Sequence, residues 1–213
     1  VAEVGGEALN KIGLVYGSSA GCTRQLAGMI AAEFGNRAVE VHDVAEVAPE
    51  VFERYESLIL GTSTLGCGEL QDDWERFRSE FLALDLRGKR VALFGLGDQS
   101  DFCNTFVDGL GTLHAMAVDT GAEIVGHWDA VGDYEFGKSA AVVDGRFVGL
   151  VIDEENQSEL TAGRVRRWVA QLKTELKPPG RVARSSRARA GAKRPRVSTS
   201  GSKKSGSPVR DSG

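Results

Sequence analysis

Residues 11–23 read KIGLVYGSSAGCT, and their order decides the fold. Lys11–Tyr16 is a short apolar run with strand character. Cys22–Phe34 carries Leu26, Met29, Ile30 and Phe34 at three-to-four spacing, the period of a helix with one buried face. Between them lies a loop of small residues, Gly17-Ser18-Ser19-Ala20-Gly21-Cys22-Thr23. The alternation then continues along the chain. Ala38–His42 reads as an outer strand, Ser57–Gly61 and Arg90–Gly95 as buried strands, and Ala122–Gly126 and Phe147–Ile152 as further strands. Asp72–Leu82, Asn104–Thr120 and Thr161–Leu176 read as helices. Strands that alternate with helices predict a doubly wound α/β domain, a parallel sheet covered on both faces. Apolar runs rather than apolar–polar alternation fit strands buried on both sides.

The formal net charge of −4 conceals a division. Residues 1–177 carry 16 Lys/Arg and 29 Asp/Glu, a balance of −13, whereas residues 178–213 carry 10 Lys/Arg against Asp211 alone, a balance of +9. The body is long enough for one domain with a core and short for two. The tail has no Leu, Ile, Phe, Tyr or Trp and holds eight Ser, five Gly and four of the five Pro. Such a segment cannot bury enough apolar surface to offset its ordering entropy, so disorder is expected. Pro178-Pro179-Gly180 marks the boundary, because proline cannot continue a helix. The expected division is an N-terminal extension over 1–10, one domain over 11–177 and a basic tail over 178–213. No apolar run approaches the roughly 18 residues of a membrane span. Val1–Asn10 lacks the basic-then-apolar order of a signal peptide. Three cysteines at unrelated spacings argue against a disulfide framework or a zinc site, and no metal is expected.

Three loops leave the ends of the inner strands, where open α/β sheets bind ligands. In the first, small residues let the backbone wrap a ligand, and the hydroxyls of Ser18, Ser19 and Thr23 with the helix-terminal amides suit a phosphate. It has no G-K-[ST] ending and no G-x-G-x-x-G, so neither a Walker loop nor a dinucleotide fingerprint is present. An ordinary helix cap would have the same composition. The second loop is Thr62–Leu70 (TSTLGCGEL) and the third Leu96–Cys103 (LGDQSDFC). Each combines glycine, small polar groups and one larger apolar residue, Leu65 or Phe102. Together the loops outline a pocket with a phosphate end and an apolar slot, which a planar heterocycle with a phosphate tail would fill.

KIGLVYGSSAGCT, LILGTSTLGCGELQDDW and VALFGLGDQSDF resemble the three flavin loops of the flavodoxins. GHWDAVGDYEF and FVGLVIDEENQSELTAGRVRRWVAQL resemble the segments that close that family's C-terminal half. The resemblance runs from Lys11 to Leu176. It implies a flavodoxin-like sheet of five parallel strands in the order 2-1-3-4-5, an order taken from the family. The last strand is interrupted by an insertion over about Trp128–Arg146, as in the long-chain branch.

The resemblance also implies noncovalently bound FMN and one-electron transfer between redox proteins. By it, Ser18, Ser19, Ala20, Gly21, Cys22 and Thr23 surround the phosphate. Thr64, Leu65, Gly66, Cys67 and Gly68 form the second flavin loop, and Gly97, Asp98, Phe102 and Cys103 the third. Ala20 stands where the family usually has a threonine hydroxyl, so weaker FMN binding is expected. Phe102 stands at a stacking position that is commonly Tyr, and Leu65 at one that is often Trp. Gly66 and Cys67 match the peptide that turns when the family's flavin takes up an electron, a position where glycine carries no Cβ penalty. Glu69, Asp72, Asp73, Glu75, Asp98 and Asp101 are expected to form an acidic rim. The rim would disfavour an anionic reduced flavin and attract basic docking surfaces, as on a ferredoxin-NADP reductase type partner.

No general acid–base pair or nucleophilic triad is visible, and a redox carrier needs none because the chemistry belongs to the cofactor. His42, His114 and His127 read as structural or surface groups. A monomer in the cytoplasm is expected. The chain opens on Val1 rather than Met, and for a processed form a plastid location stands beside the cytoplasm. Two other readings stay open: an FMN-dependent quinone reductase, and an interaction module that has lost the flavin. The tail is read as a solubilising appendage, as a tether to the acidic body, a partner or an anionic surface, or as a nucleic-acid or nuclear-import segment around Lys193–Arg196. No aromatics interleave its basic residues, which argues against base stacking.

Overall fold

The computed structural model describes residues 11–176 apart from 36 and 130. The expected N-terminal extension and basic tail lie outside the described residues. The chain runs β1 (Ile12–Tyr16), α1 (Cys22–Phe34), β2 (Val39–Asp43), α2 (Glu50–Glu53), β3 (Ser57–Leu65), β4 (Glu69–Leu70), α3 (Asp72–Leu82) and β5 (Arg90–Leu96). It continues with α4 (Asp108–Asp119), β6 (Glu123–Val125), a 3-10 turn at Val131–Asp133, β7 (Val142–Val143), β8 (Arg146–Phe147), β9 (Leu150–Ile152) and α5 (Glu154–Glu175).

The main sheet has the parallel order β2-β1-β3-β5-β6. The fifth position is split as expected. β6 pairs with Arg90–Ala92 at the start of β5, and β9 pairs with Phe94–Leu96 at its end. Residues 126–149 leave the sheet between the two halves and carry the antiparallel β7–β8 pair. α1 packs against α5 and α3 against α4, as right-handed crossovers on the two faces require. The side chains of Leu14, Leu58, Ile59, Leu60, Leu93 and Phe94 in the inner strands are fully buried. The buried indoles of Trp74 and Trp168 donate to the carbonyls of Gly61 (2.8 Å) and Gly126 (2.7 Å), so their polar atoms carry no desolvation penalty.

Several boundaries differ from the sequence reading. β3 extends to Leu65 rather than stopping at Gly61, because β-branched Thr62 and Thr64 continue the strand and β4 folds back on it. α4 starts at Asp108, not Asn104, after a left-handed Val107 (φ 51°). Phe147 belongs to the insertion rather than to the last strand: it pairs with Val142 and Trp128, and the sheet resumes only at Leu150. α5 starts at Glu154 rather than Thr161. Its first seven residues are exposed apart from half-buried Gln157 and show no apolar period. Asp153, fully buried, caps it by accepting from the amides of Glu155 (3.2 Å) and Asn156 (3.0 Å).

Candidate functional site

β1, β3 and β5 deliver three loops to one edge of the sheet, where a cavity of about 380 Å³ opens. The first loop lines it with Ser18, Ser19, Ala20, Cys22 and Thr23. The second contributes Ser63, Thr64 and Leu65, and the third Leu96, Gly97, Asp98, Asp101 and Phe102. Glu154 and Glu155, in the first turn of α5, complete the lining.

The first loop is shaped from beneath. Gly17 is buried, its amide donates to Gly61 O (3.0 Å), and a Cβ there would lie 2.2 Å from Gln71 Oε1. Ser18 Oγ accepts from the amides of Gly21 (3.1 Å) and Arg24 (3.4 Å) and so folds the loop into the helix start. Gly21 supplies the turn at φ 95°. The amides of Cys22 and Thr23 stand in the first helical turn and have no intrahelical acceptor, which suits an anion. Arg24 is committed to Tyr16 Oη (2.9 Å) and Asp43 (3.1 Å). Burial holds the Tyr16 hydroxyl above its ordinary pKa, partly offset by that arginine. Among the described residues no Lys or Arg lines the cavity. This end therefore offers neutral donors only.

Buried Gln71 joins two loops. Its Oε1 accepts from the amides of Asp73 (3.0 Å) and Trp74 (3.2 Å), capping α3, and its Nε2 donates to Ser19 Oγ (3.3 Å). The second loop turns tightly, with Gly68 N donating to Leu65 O (3.0 Å) and Gly66 and Gly68 at φ 47° and 113°. Thr64 Oγ1 accepts from Gly109 N (3.1 Å), tying the loop to α4. In the third loop Asp98 Oδ1 accepts from the amides of Ser100 (2.8 Å) and Asp101 (3.0 Å) and from Asn156 Nδ2 (2.9 Å). These bonds, led by the Asp101 amide, hold its carboxyl below the usual range. Phe102 presents an exposed ring to the cavity, 44 % accessible.

A model of the flavodoxin family matches residues 14–168. The chain belongs to the flavodoxin family. It is 46% identical over 166 residues to the flavodoxin of a Nostoc species, covering 78% of this chain and 97% of that one. It is 45% identical over 165 residues to flavodoxin 1 of Escherichia coli, covering 77% and 93%. Among solved structures, the Fusobacterium nucleatum flavodoxin bound to flavin mononucleotide superposes with a TM-score of 0.74 at 30% identity, covering 78% of this chain and 99% of that one. The flavodoxin-like sheet expected from the motifs, with its split fifth strand, is therefore the fold of the chain.

Among the residues expected to hold a flavin, Ser18, Ser19, Ala20, Cys22, Thr23, Thr64, Leu65, Gly97, Asp98 and Phe102 line the cavity. Gly21, Gly66, Cys67, Gly68 and Cys103 do not. Gly66 and Gly68 shape the turn, Cys67 is exposed at its tip, and the Cys103 carbonyl faces the insertion. The expected acidic rim divides. Asp98 and Asp101 line the cavity, whereas Glu69, Asp72 and Glu75 border a separate hollow with Arg78. Asp73 pairs with Arg76 at 2.5 Å. Glu154 and Glu155 were not foreseen; the acid run after the last strand, DEE, was their only signal. Among the described residues no helix is long and apolar enough to cross a membrane, and no cluster of His, Cys, Asp and Glu is arranged for a metal.

Proposed function

We propose that this chain is a one-electron carrier that works with noncovalently bound FMN. The observation that carries the reading is the lining of the cavity: the hydroxyls of Ser18, Ser19 and Thr23, apolar Leu65, Leu96 and Phe102, and the carboxylates of Asp98, Asp101, Glu154 and Glu155. Its volume is within the range of small-molecule sites, about 300–1,000 Å³. Ser18, Ser19 and Thr23, with the amides opening α1, would hold the phosphate. Phe102 and Leu65 would flank the ring system, the aromatic supplying a stacking face. FMN, when bound, takes up and releases electrons one at a time. Asp98, Asp101, Glu154 and Glu155 disfavour added negative charge in the slot and so bias the site toward a low potential. Gly66, at φ 47°, lets its peptide turn without a Cβ penalty. Ala20 removes one hydroxyl from the phosphate end, a loss of about 1.5–3 kcal/mol in binding for a bond to a charged acceptor.

The same carboxylates suit redox partners with basic docking surfaces, of the ferredoxin-NADP reductase type, met by a monomer in the cytoplasm. The relatives this chain matches are flavodoxins, which supports a carrier rather than an enzyme. Purified protein is mixed with FMN and followed by absorption and flavin fluorescence, then photoreduced stepwise. Quenched flavin fluorescence and two resolved one-electron stages are expected. A colourless protein that leaves FMN fluorescence unchanged refutes the reading and leaves the flavin-less module.

A further inference from the structure

Two buried side-chain donors, the indole N–H of Trp128 and Nη1 of Arg164, find no acceptor among the described residues. Trp74 and Trp168, likewise buried, each donate to a carbonyl, so the Trp128 indole departs from the rest of the core. Tyr134 borders both donors. The Arg164 guanidinium lies over its ring, 4.3 Å from Cζ to the centroid. The Trp128 N–H stands near its hydroxyl and favours the ionised form, but outside hydrogen-bond geometry. That hydroxyl gives its own proton to Val151 O (2.7 Å).

Arg164 is held by a neutral group. The helical backbone of α5 breaks at Gln157 (φ −141°, ψ 34°). Its Oε1 accepts from Arg164 Nη2 (2.7 Å), and its Nε2 donates to Asp133 O (2.9 Å). Arg164 is only 5 % exposed, and among the described residues no carboxylate pairs with it. A second guanidinium, Arg167, lies over the Trp128 ring at 3.9 Å. Of the acids nearby, Asp129 is taken by Arg146 (3.7 Å), and Asp133 pairs with neither α5 arginine. The junction of the insertion with α5 therefore carries buried positive charge. Such a charge is stable only when it is paired and hydrogen-bonded.

We propose that Arg164 Nη1 and Trp128 Nε1 hold a small monatomic anion, such as chloride, between the insertion and α5. A water molecule would meet both donors but leave the guanidinium charge uncompensated. A sulfate or phosphate would bring oxygens for which the site has no further donors, and buried oxygens left unpaired are costly. None of these residues lines the cavity between the three loops, so the proposal stands apart from the flavin reading.

Nitrogen–proton correlation spectra of the labelled full-length chain test this, with sodium chloride replacing sodium gluconate at constant ionic strength. The three indole signals serve as probe and controls. The Trp128 signal should move saturably, and several-fold further than those of Trp74 and Trp168, whose N–H groups already have acceptors. The response should be the same with and without FMN. Movement no larger than that of the other two indoles overturns the proposal. In Arg164→Met, which keeps an unbranched stem and removes the charge, the saturable movement should disappear; undiminished movement overturns the role of Arg164. If that variant does not fold, wild-type crystals grown in bromide decide. An anomalous-scattering peak in contact with both Arg164 Nη1 and Trp128 Nε1 is expected, and no peak there overturns the site.

Discussion

Gly17→Ala is the sharpest test of how the first loop is built. The new Cβ would lie 2.2 Å from Gln71 Oε1 and 2.6 Å from Trp74 Cδ1, and neither neighbour can yield cheaply. Trp74 is fully buried and bonded through its indole. Gln71 is buried, and its Oε1 serves the amides of Asp73 and Trp74. Relief of the clash must move the carboxamide off those amides. Loss of a helix cap costs about 0.5–2 kcal/mol, and a buried amide left unpaired about 1–3 kcal/mol. A destabilisation of about 2–4 kcal/mol is therefore expected, a large part of the 5–15 kcal/mol typical of a domain. Urea unfolding of the flavin-free protein measures it. Gln71→Ala alone should cost about 1–2 kcal/mol. In the double variant the alanine no longer meets the carboxamide, so the combined loss should fall short of the sum by about 1 kcal/mol or more. Additivity to within about 0.5 kcal/mol would refute the reasoning, because independent sites behave that way.

Ala20→Thr returns a hydroxyl to the phosphate end and should tighten FMN binding by about tenfold to a hundredfold, the worth of one hydrogen bond to a charged group; fluorescence titration checks it, and weaker binding would count against the loop assignment. Glu154→Gln and Glu155→Gln each remove a negative charge from the cavity lining. Each should raise the potential of the electron step that adds negative charge by about 20–60 mV at low salt, with unchanged redox titrations speaking against an electrostatic role. FMN should slow alkylation of Cys22, which lines the cavity, and leave that of Cys67, exposed at the turn, nearly unchanged; equal protection of both thiols would contradict this geometry. Burial pushes the Tyr134 hydroxyl up to about 12 from its ordinary 10. The folded state thus keeps a proton that the unfolded state releases first, and stability present below pH 10 should decline between pH 10 and about 12. Between pH 9 and 11 Tyr134→Phe should remove up to about 1.3 kcal/mol of that decline in urea unfolding, and an identical slope would show that another group titrates.

Much of the fold was legible because its signals are local. The inner strands are apolar runs, the helices carry their period, and the interrupted fifth strand shows as two short runs around a stretch without period. Where reading failed, the local signal was missing. Residues 154–160 of α5 are nearly all exposed, so no apolar stripe marks them. The four-residue α2 is too short to show a period at all. The second loop was read as loop from its glycines and small polar residues. Thr62-Ser63-Thr64 nevertheless continues the strand, and only residues 66–68 turn.

Three residues behind the site that escaped notice share a physical property. Gln71, Gln99 and Asp153 act as acceptors or donors across long sequence separations, with Gln71 reaching Ser19 over 52 residues, Gln99 reaching Glu135 over 36, and Asp153 reaching Gln99 over 54. Each is buried, and each takes at least one backbone amide. A buried polar side chain without such a partner would cost about 1–3 kcal/mol, so its presence in the core is itself a sign of an amide that secondary structure leaves unpaired. A sequence shows the glutamine but not the amide. The cavity residues of the three loops were visible because a ligand imposes a composition on the loops that would meet it. The residues that hold those loops in place answer to no composition, only to where the fold brings an unpaired amide.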